Sequence, residues 1–394
     1  MMSLEQTREC VAAAIEPREP VRVPLSDGLG RILRQDACAA EDMPGFDRSA
    51  MDGYAVGAED RSERFRIVGE VRPGKPPDFS IAQGECARIF TGAEIPAGAS
   101  QVLKQEDVHA EDGWVTPGTR PLDHFIRRRG EDGRAGDRLL TSGLRLGPAQ
   151  IGLLATLGIV QPLVSPLCLT AHFATGDELV DPALDPGPSH IRDSNSSLVR
   201  AFVEAHGGVI TQQERVADDA SLLAEKAGLA ADAGCDLLLF SGGASVGTYD
   251  YGRAVLEKLG FQIRFEKLNL RPGKPLAFAT RGRQAAFVLP GNPLSHLTVL
   301  HCIVQVAFDR MAGATLQWNV LNARLHSGFH AGGEGRYTLW PARVAFENGE
   351  AVVDPLRWRS SGDITGLAGL NAFIRCTLPT LDTGAHVPCI LLHG

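Results

Sequence analysis

From residue 164 onward, apolar runs of strand length alternate with segments of helical period, and this alternation limits the fold more than any other feature. Residues 166–173 read as a buried strand. Residues 193–206 read as a helix with Asp193 or Ser194 as its cap. A second helix is expected over about 220–233, then an apolar strand at 236–240 and a helix at 251–259. Strand patterns near 262–265 and at 285–289 precede a last helix over 294–311. Such spacing predicts a mostly parallel, doubly wound sheet. The flanks read differently. Residues 4–15 suggest a short helix, and 144–157 have apolar residues at helical spacing. Residues 45–130 are rich in Gly and Pro with short β-like runs such as 88–90 and 101–103, and 318–394 return to that character. A small β-rich domain is therefore expected on each side of the α/β region.

A chain of 394 residues exceeds what one core supports, so two to four domains are expected. Its 44% hydrophobic and 22% charged residues are ordinary for a soluble globular protein. A net charge of −8 argues against a broad nucleic-acid or anionic-membrane surface, which needs clustered Lys and Arg, but leaves room for a small basic pocket. The eight cysteines are scattered singly with no C-x-x-C pair, which argues against a zinc knuckle or a thioredoxin-like motif. Reduced thiols in a cytoplasmic protein are expected. The N-terminus is polar and helix-like rather than a signal peptide, and no run of about 18 apolar residues suggests a membrane span.

In doubly wound sheets, ligands bind outside the carboxyl ends of the strands. Four loops there carry glycine, hydroxyl, charge or proline: T-G-D-E (175–178), S-G-G-A-S-V-G (241–247), R-P-G-K-P (271–275) and P-G-N-P (290–293). The 241–247 loop can offer backbone N–H groups and hydroxyls to an anion, or it can be a tight turn that merely uses glycine. It lacks the lysine of a Walker loop and does not fit G-x-G-x-x-G. The 290–293 loop puts proline at a helix start, with free N–H groups suited to a phosphate or simply to an ordinary start. Asp177 and Glu178 stand at a strand end, Asp218 is expected to cap a helix, and Asp250 follows the glycine loop. Were these acids to share a cleft, their repulsion would call for Mg²⁺ or for cations such as Lys267, Arg271 and Lys274. In the first β-rich region, the run 44–56 has neither strand nor helix periodicity, and Thr91 lies in a turn with a free hydroxyl.

These stretches resemble the MoeA-type molybdopterin molybdenumtransferases, the group that includes the E domain of gephyrin. The resemblance is carried by P-G-F-D-R-S-A-M-D-G-Y-A-V (44–56), R-I-F-T-G-A-E-I-P-A-G-A (88–99), R-R-R-G-E-D (127–132), T-G-D-E-L (175–179) and I-R-D-S-N (191–195). It continues in S-G-G-A-S-V-G-T-Y-D-Y (241–251), R-P-G-K-P-L-A-F (271–278) and L-P-G-N-P-L-S (289–295). It implies a multidomain α/β plus β protein. An elongated helical linker (1–45 and 133–163) would carry an inserted β domain (46–132), followed by an α/β molybdopterin-binding domain (164–314) and a C-terminal β domain (315–394). It also implies a homodimer with a composite site, and a reaction in which adenylylated molybdopterin takes up molybdate and releases AMP with Mg²⁺.

The same resemblance assigns catalytic roles to Asp52, Thr91, Glu178, Asp218, Asp250, Lys267 and Arg271, with Glu178 and Asp250 as metal candidates. It assigns pterin and phosphate contacts to Gly242, Gly243, Ser245, Gly247, Lys274, Gly291, Asn292 and Ser361. Two positions depart from the family pattern: Arg271 replaces an expected lysine, and Pro341 stands near an expected arginine. Guanidinium keeps the charge but changes reach and donor geometry. A molybdopterin adenylyltransferase is an expected partner. The alternatives are an adenylyltransferase-like enzyme, against which the Asp52 region speaks, and a partner-binding scaffold, which would not need this charged set.

Overall fold

The computed structural model describes residues 1–118, 122–242, 249–332, 335–376 and 378–392, with the backbone alone at 249–251. The chain divides into two compact units. One comprises Met1–Gln35, Ser142–Gly152 and Val160–Gly394, the other Asp36–Thr141 and Leu153–Ile159.

In the larger unit the expected alternation forms one six-stranded sheet. Its strands are β1 (Cys168–Thr175), β2 (Gly208–Val216), β3 (Leu237–Ser241), β4 (Gln262–Lys267), β5 (Pro275–Arg281) and β6 (Gln284–Leu289). Their spatial order is β2-β1-β3-β6-β5-β4. The pairs β1/β2, β1/β3 and β3/β6 are parallel, whereas β5 pairs antiparallel with both β6 and β4. The sheet is thus parallel through its centre with an antiparallel extension. Two strands went unread in the sequence. β2 lies at the sheet edge and is largely polar, so it has no continuous apolar run. β5 follows the R-P-G-K-P loop and joins β6 through a two-residue turn with Gly282 at φ +56°, which matches the twist of a hairpin.

Helices cover both faces of the sheet: α1 (Ser194–Ala205), α2 (Ala220–Asp232), α3 (Tyr249–Lys258) and α4 (Pro293–Val299). The last continues through a wider π turn, Leu300–Val304, into Gln305–Ala312. Burial on both faces explains why β3 is apolar from Leu237 to Phe240, with a polar residue only at its carboxyl end. Leu237 and Leu239 enter one core with Phe278 and Phe287, while Leu238 and Phe240 enter the other with Phe173. Asp193 caps α1, its Oδ1 accepting from the Ser196 N–H at 3.0 Å. Asp218 does not cap α2, contrary to expectation. The helix starts at Ala220 as expected, but its cap is the adjacent Asp219, which accepts from the N–H groups of Ser221 and Leu222. That leaves Asp218 free to turn back, and its own N–H donates to Asp177 Oδ1 at 3.2 Å.

The N-terminal helix Leu4–Ala14 opens with a capping box between Ser3 and Gln6 and places Leu4 and Val11 in the first of these cores. Five C-terminal strands close into a barrel: Tyr337–Glu347, Glu350–Pro355, Val320–Leu325, His386–Leu391 and Ala372–Cys376, the last pairing back onto the first. Leu270–Arg271 adds alongside, in register with Tyr337 and Thr338.

The smaller unit holds a six-stranded sheet of Gln101–Lys104, Gly53–Val56, Glu85–Ile89, Phe65–Val71, Trp114–Pro117 and Val108–Glu111. Its own cores centre on Ile89 and Val102, and on Phe65 and Leu103. None of the described helices is long and apolar enough to cross a membrane.

Candidate active site

The chain leaves β1 for β2 on one side and later crosses to β3 on the other, so the strand order switches at the carboxyl ends of β1 and β3. At such a point the flanking loops diverge and leave a crevice. A cavity of about 1090 Å³ opens there. Its floor comes from the loops after β1 and β3 and from the 290–293 turn, and its walls from the start of α1, the 271–275 turn and the segment 358–362.

Backbone geometry fixes the floor. Gly242 has φ +97°, and a Cβ there would lie 2.2 Å from the Thr175 carbonyl oxygen. Two floor loops, the one after β3 and the 290–293 turn, touch, since a Cβ on Gly291 would meet Gly242 Cα at 3.7 Å. Beside them Gly176 has φ +148°, and the Glu178 carboxylate lies where its Cβ would be. Two hydrogen bonds hold the turn at 290–293. Asn195 Nδ2 donates to the Gly291 carbonyl at 2.7 Å, and Asn292 Nδ2 donates to Ser361 Oγ at 2.8 Å.

Charge in the cleft runs against the chain as a whole. Arg192, Arg271, Lys274, Arg336 and Arg359 line it, against the acidic Glu178, Asp193 and Asp218, in a chain of net charge −8. Arg271 donates from Nη1 to the Ala331 carbonyl at 2.9 Å and lies over the Trp358 ring at 4.8 Å. Asp218 is held above the usual carboxylate range, first by desolvation and then by the charge of Asp177, with Glu178 adding to it.

Of the residues singled out in the sequence, Glu178, Asp218, Gly242, Arg271, Lys274, Gly291, Asn292 and Ser361 meet in this cleft. Lys267 does not line it. It is exposed at the end of the outermost strand β4, paired with the cleft-lining Pro275. Asp250 is the second residue of α3, and its side chain lies outside the described residues, as do Gly243, Ser245 and Gly247. Asp52 and Thr91 lie in the smaller unit and bond each other. Asp52 Oδ1 accepts from both the N–H and the hydroxyl of Thr91 at 2.7 Å. Those bonds, with the charge of Arg88, hold Asp52 below its ordinary range. Pro341 stands in the barrel wall, where its carbonyl accepts from the Leu356 N–H.

Two further residues of the cleft stand out for their bare polar atoms. Trp358 Nε1 and Asn195 Oδ1, one donor and one acceptor, are buried there without a hydrogen-bond partner. Asn195 closes the I-R-D-S-N stretch (191–195), which by itself gives it no role. Nothing local marks Trp358, whose position depends on how the barrel meets the sheet.

Comparison with known proteins agrees with this geometry. Residues 2–158 match the family described as the MoeA N-terminal region (domain I and II), and residues 171–310 match a probable molybdopterin binding domain. The molybdopterin molybdenumtransferase of Nostoc sp. is 34% identical over 369 residues, spanning 90% of this chain and 84% of that one. Its counterpart in Haemophilus influenzae is 36% identical over 324 residues, spanning 81% and 79%. The solved molybdopterin biosynthesis moeA protein of Pyrococcus horikoshii OT3 superposes with a TM-score of 0.83 at 26% identity, covering 99% of this chain and 100% of that one. The chain belongs to the molybdopterin molybdenumtransferase family.

Proposed function

We propose that this chain completes the molybdenum cofactor: it takes adenylylated molybdopterin and molybdate, joins the metal to the dithiolene, and releases AMP with Mg²⁺ as cofactor. The observation that carries the reading is the cleft, with its excess of basic side chains over a glycine floor at the switch point of the sheet. Phosphate and molybdate are both anions, and glycine N–H groups with Lys and Arg suit them. Gly242, Gly291, Lys274, Asn292 and Ser361 would hold the pterin-phosphate end, together with Gly243, Ser245 and Gly247. The unpartnered Trp358 Nε1–H and Asn195 Oδ1 suit the hydrogen-bonding edge of a pterin, since satisfying a buried polar atom recovers the cost of leaving it bare. Arg271 supplies fixed positive charge, and Lys267 adds more from the neighbouring strand end.

The acidic set fits Mg²⁺. This ion needs only one or two protein carboxylates when phosphate oxygens and water complete its shell. The described residues hold no ready group of three metal-binding side chains. The raised Asp218 carboxyl nevertheless marks a field that a divalent cation would relieve. Glu178 and Asp250 are the proposed ligands, and the bound ion would neutralise charge on the pyrophosphate as it is cleaved. The homodimer, a catalytic role for the Asp52–Thr91 pair within it, and supply of substrate by a molybdopterin adenylyltransferase belong to the same proposal. Eight free cysteines, five of them buried, support a reducing, cytoplasmic setting.

The test is direct. Purified protein given adenylylated molybdopterin, molybdate and Mg²⁺ releases AMP and yields active cofactor. Production of the adenylylated species from ATP instead would overturn the reading. Full turnover in Asp250→Asn would remove the metal assignment while leaving the reaction in place.

A further inference from the structure

Directly beneath the two floor loops lies a set of polar side chains that the proposed reaction does not use. His172 on β1, Ser241 at the end of β3 and His296 on α4 are all buried, at 0%, 1% and 0% exposure. His172 Nε2 lies 2.6 Å from Ser241 Oγ, and His296 Nε2 lies 3.5 Å from the same oxygen. At one end His296 Nδ1 is 2.9 Å from the Pro290 carbonyl. At the other, Gln213 Nε2 on β2 donates to the Ser196 carbonyl at 2.9 Å and sits 3.0 Å from His172 Nδ1.

A carbonyl at each end dictates the direction of every bond between. The Pro290 carbonyl can only accept, so His296 carries its proton on Nδ1 and leaves Nε2 as a lone pair. The Ser196 carbonyl likewise fixes the Gln213 amide with nitrogen toward it. The second amide hydrogen then points at His172 Nδ1, which must be unprotonated, so His172 carries its proton on Nε2. The Ser241 hydroxyl therefore accepts from His172 and donates to His296. One arrangement satisfies all groups, and it requires both imidazoles to be neutral. Burial favours the same state, pushing His172 down to about 3 and His296 down to about 4.

The ends of this chain are not arbitrary. Ser241 immediately precedes Gly242, Pro290 immediately precedes Gly291, and Ser196 lies one residue beyond Asn195, which itself binds the Gly291 carbonyl. We propose that Gln213, His172, Ser241 and His296 form a one-directional hydrogen-bonded brace that holds the two floor loops and the start of α1 in register for an anionic pterin ligand. They are positioning residues: His172, Gln213 and His296 do not line the cleft and act on it through the backbone of Gly242 and Gly291, while Ser241 sits in its floor. The ligand named here rests on the function proposed above; the brace itself does not.

The first measurement uses the wild-type protein without ligand. Imidazole ¹⁵N spectra at pH 7 show His172 as the neutral Nε2–H tautomer and His296 as the neutral Nδ1–H tautomer. The opposite tautomer or a cation at either position overturns the brace, and no variant is needed. The second compares hydrogen exchange of the amides of 291, 292 and 294–296 in His296→Leu, which loses both ends of its link, with His296→Asn, which keeps a donor for Pro290. Exchange is fastest in the leucine variant and intermediate in the asparagine one; unchanged exchange in the folded leucine variant overturns the brace. The third measures turnover. In folded His296→Leu and Ser241→Ala, KM for adenylylated molybdopterin rises about tenfold with kcat within about twofold, and His296→Asn recovers part of the loss. An unchanged KM in these variants overturns the link to the ligand. Should the wild-type protein fail to bind molybdopterin while the tautomers and exchange hold, the proposed function falls and the brace stands.

Discussion

A methyl group added at Gly242 would lie 2.2 Å from the Thr175 carbonyl oxygen, on a backbone already at φ +97°. Neither a rotamer change nor a small shift relieves a clash with main chain, so Gly242→Ala should cost about 2–3 kcal/mol of stability. A urea titration checks it, and an unchanged midpoint would show that the loop relaxes without strain. Arg271→Lys tests a different kind of constraint. Lysine keeps the charge but loses the flat contact with Trp358 and the fixed bond to the Ala331 carbonyl. A loss of about 1 kcal/mol is expected on the same titration, with weaker substrate binding as a higher KM. Gly242 and Arg271 were legible in the sequence because glycine and charge at a strand end stand out against an apolar pattern. Trp358, Asn195 and the two buried histidines were not. An aromatic or a histidine in an apolar run reads as core, and only the neighbour relations of β1, β3 and α4 bring His172, Ser241 and His296 together.

At the scale of elements, those histidines give the central sheet a pH dependence with a definite sign. Both are neutral when folded, His172 near 3 and His296 near 4, because burial penalises the cation. Repulsion from a protonated His296 and the charge of Arg200 would lower His172 further, while the Pro290 carbonyl and Asp193 oppose the effect of burial at His296. In the unfolded chain an imidazole titrates near 6.5, so below that pH the unfolded state binds protons that the folded state refuses. The stabilisation is therefore complete above about pH 6.5 and is lost as the pH falls toward 4, by up to about 1.4 kcal/mol per pH unit per histidine. Asp218, with its raised carboxyl, works in the opposite sense over the acid range. Urea midpoints at pH 7.5, 5.5 and 4.5 should fall on acidification, and His172→Phe should flatten the slope. The sheet's parallel centre was readable from its apolar runs, since burial on both faces leaves no polar alternation. β2 and β5 were not, one because an edge strand tolerates polar residues, the other because its proline-glycine lead-in imitates a loop.

For the molecule as a whole, the shift in composition near residue 315 marks where helices give way to strands, but it does not mark where a core ends. Leu339, Phe373, Ile390 and Leu392 of the barrel region belong to the same buried cluster as Leu4, Leu237, Phe278 and Leu300. Periodicity shows that each element has an apolar face; it does not show which faces meet. The barrel also keeps a separate interior around Leu325, Val353 and Ile374. Its outer apolar side chains therefore serve the α/β region rather than themselves. A chain ending at Asn319 would uncover that shared cluster, and burying one large apolar side chain contributes about 1.5–3 kcal/mol. Losing four such partners exceeds what a domain of marginal stability can absorb. The shortened chain should therefore lose cooperative melting of the α/β sheet and bind a hydrophobic dye, while the strands of the smaller unit, with their own cores, keep their exchange protection. A shortened chain that melts as sharply as the full one, at the same temperature, would show that the shared cluster is contact without consequence.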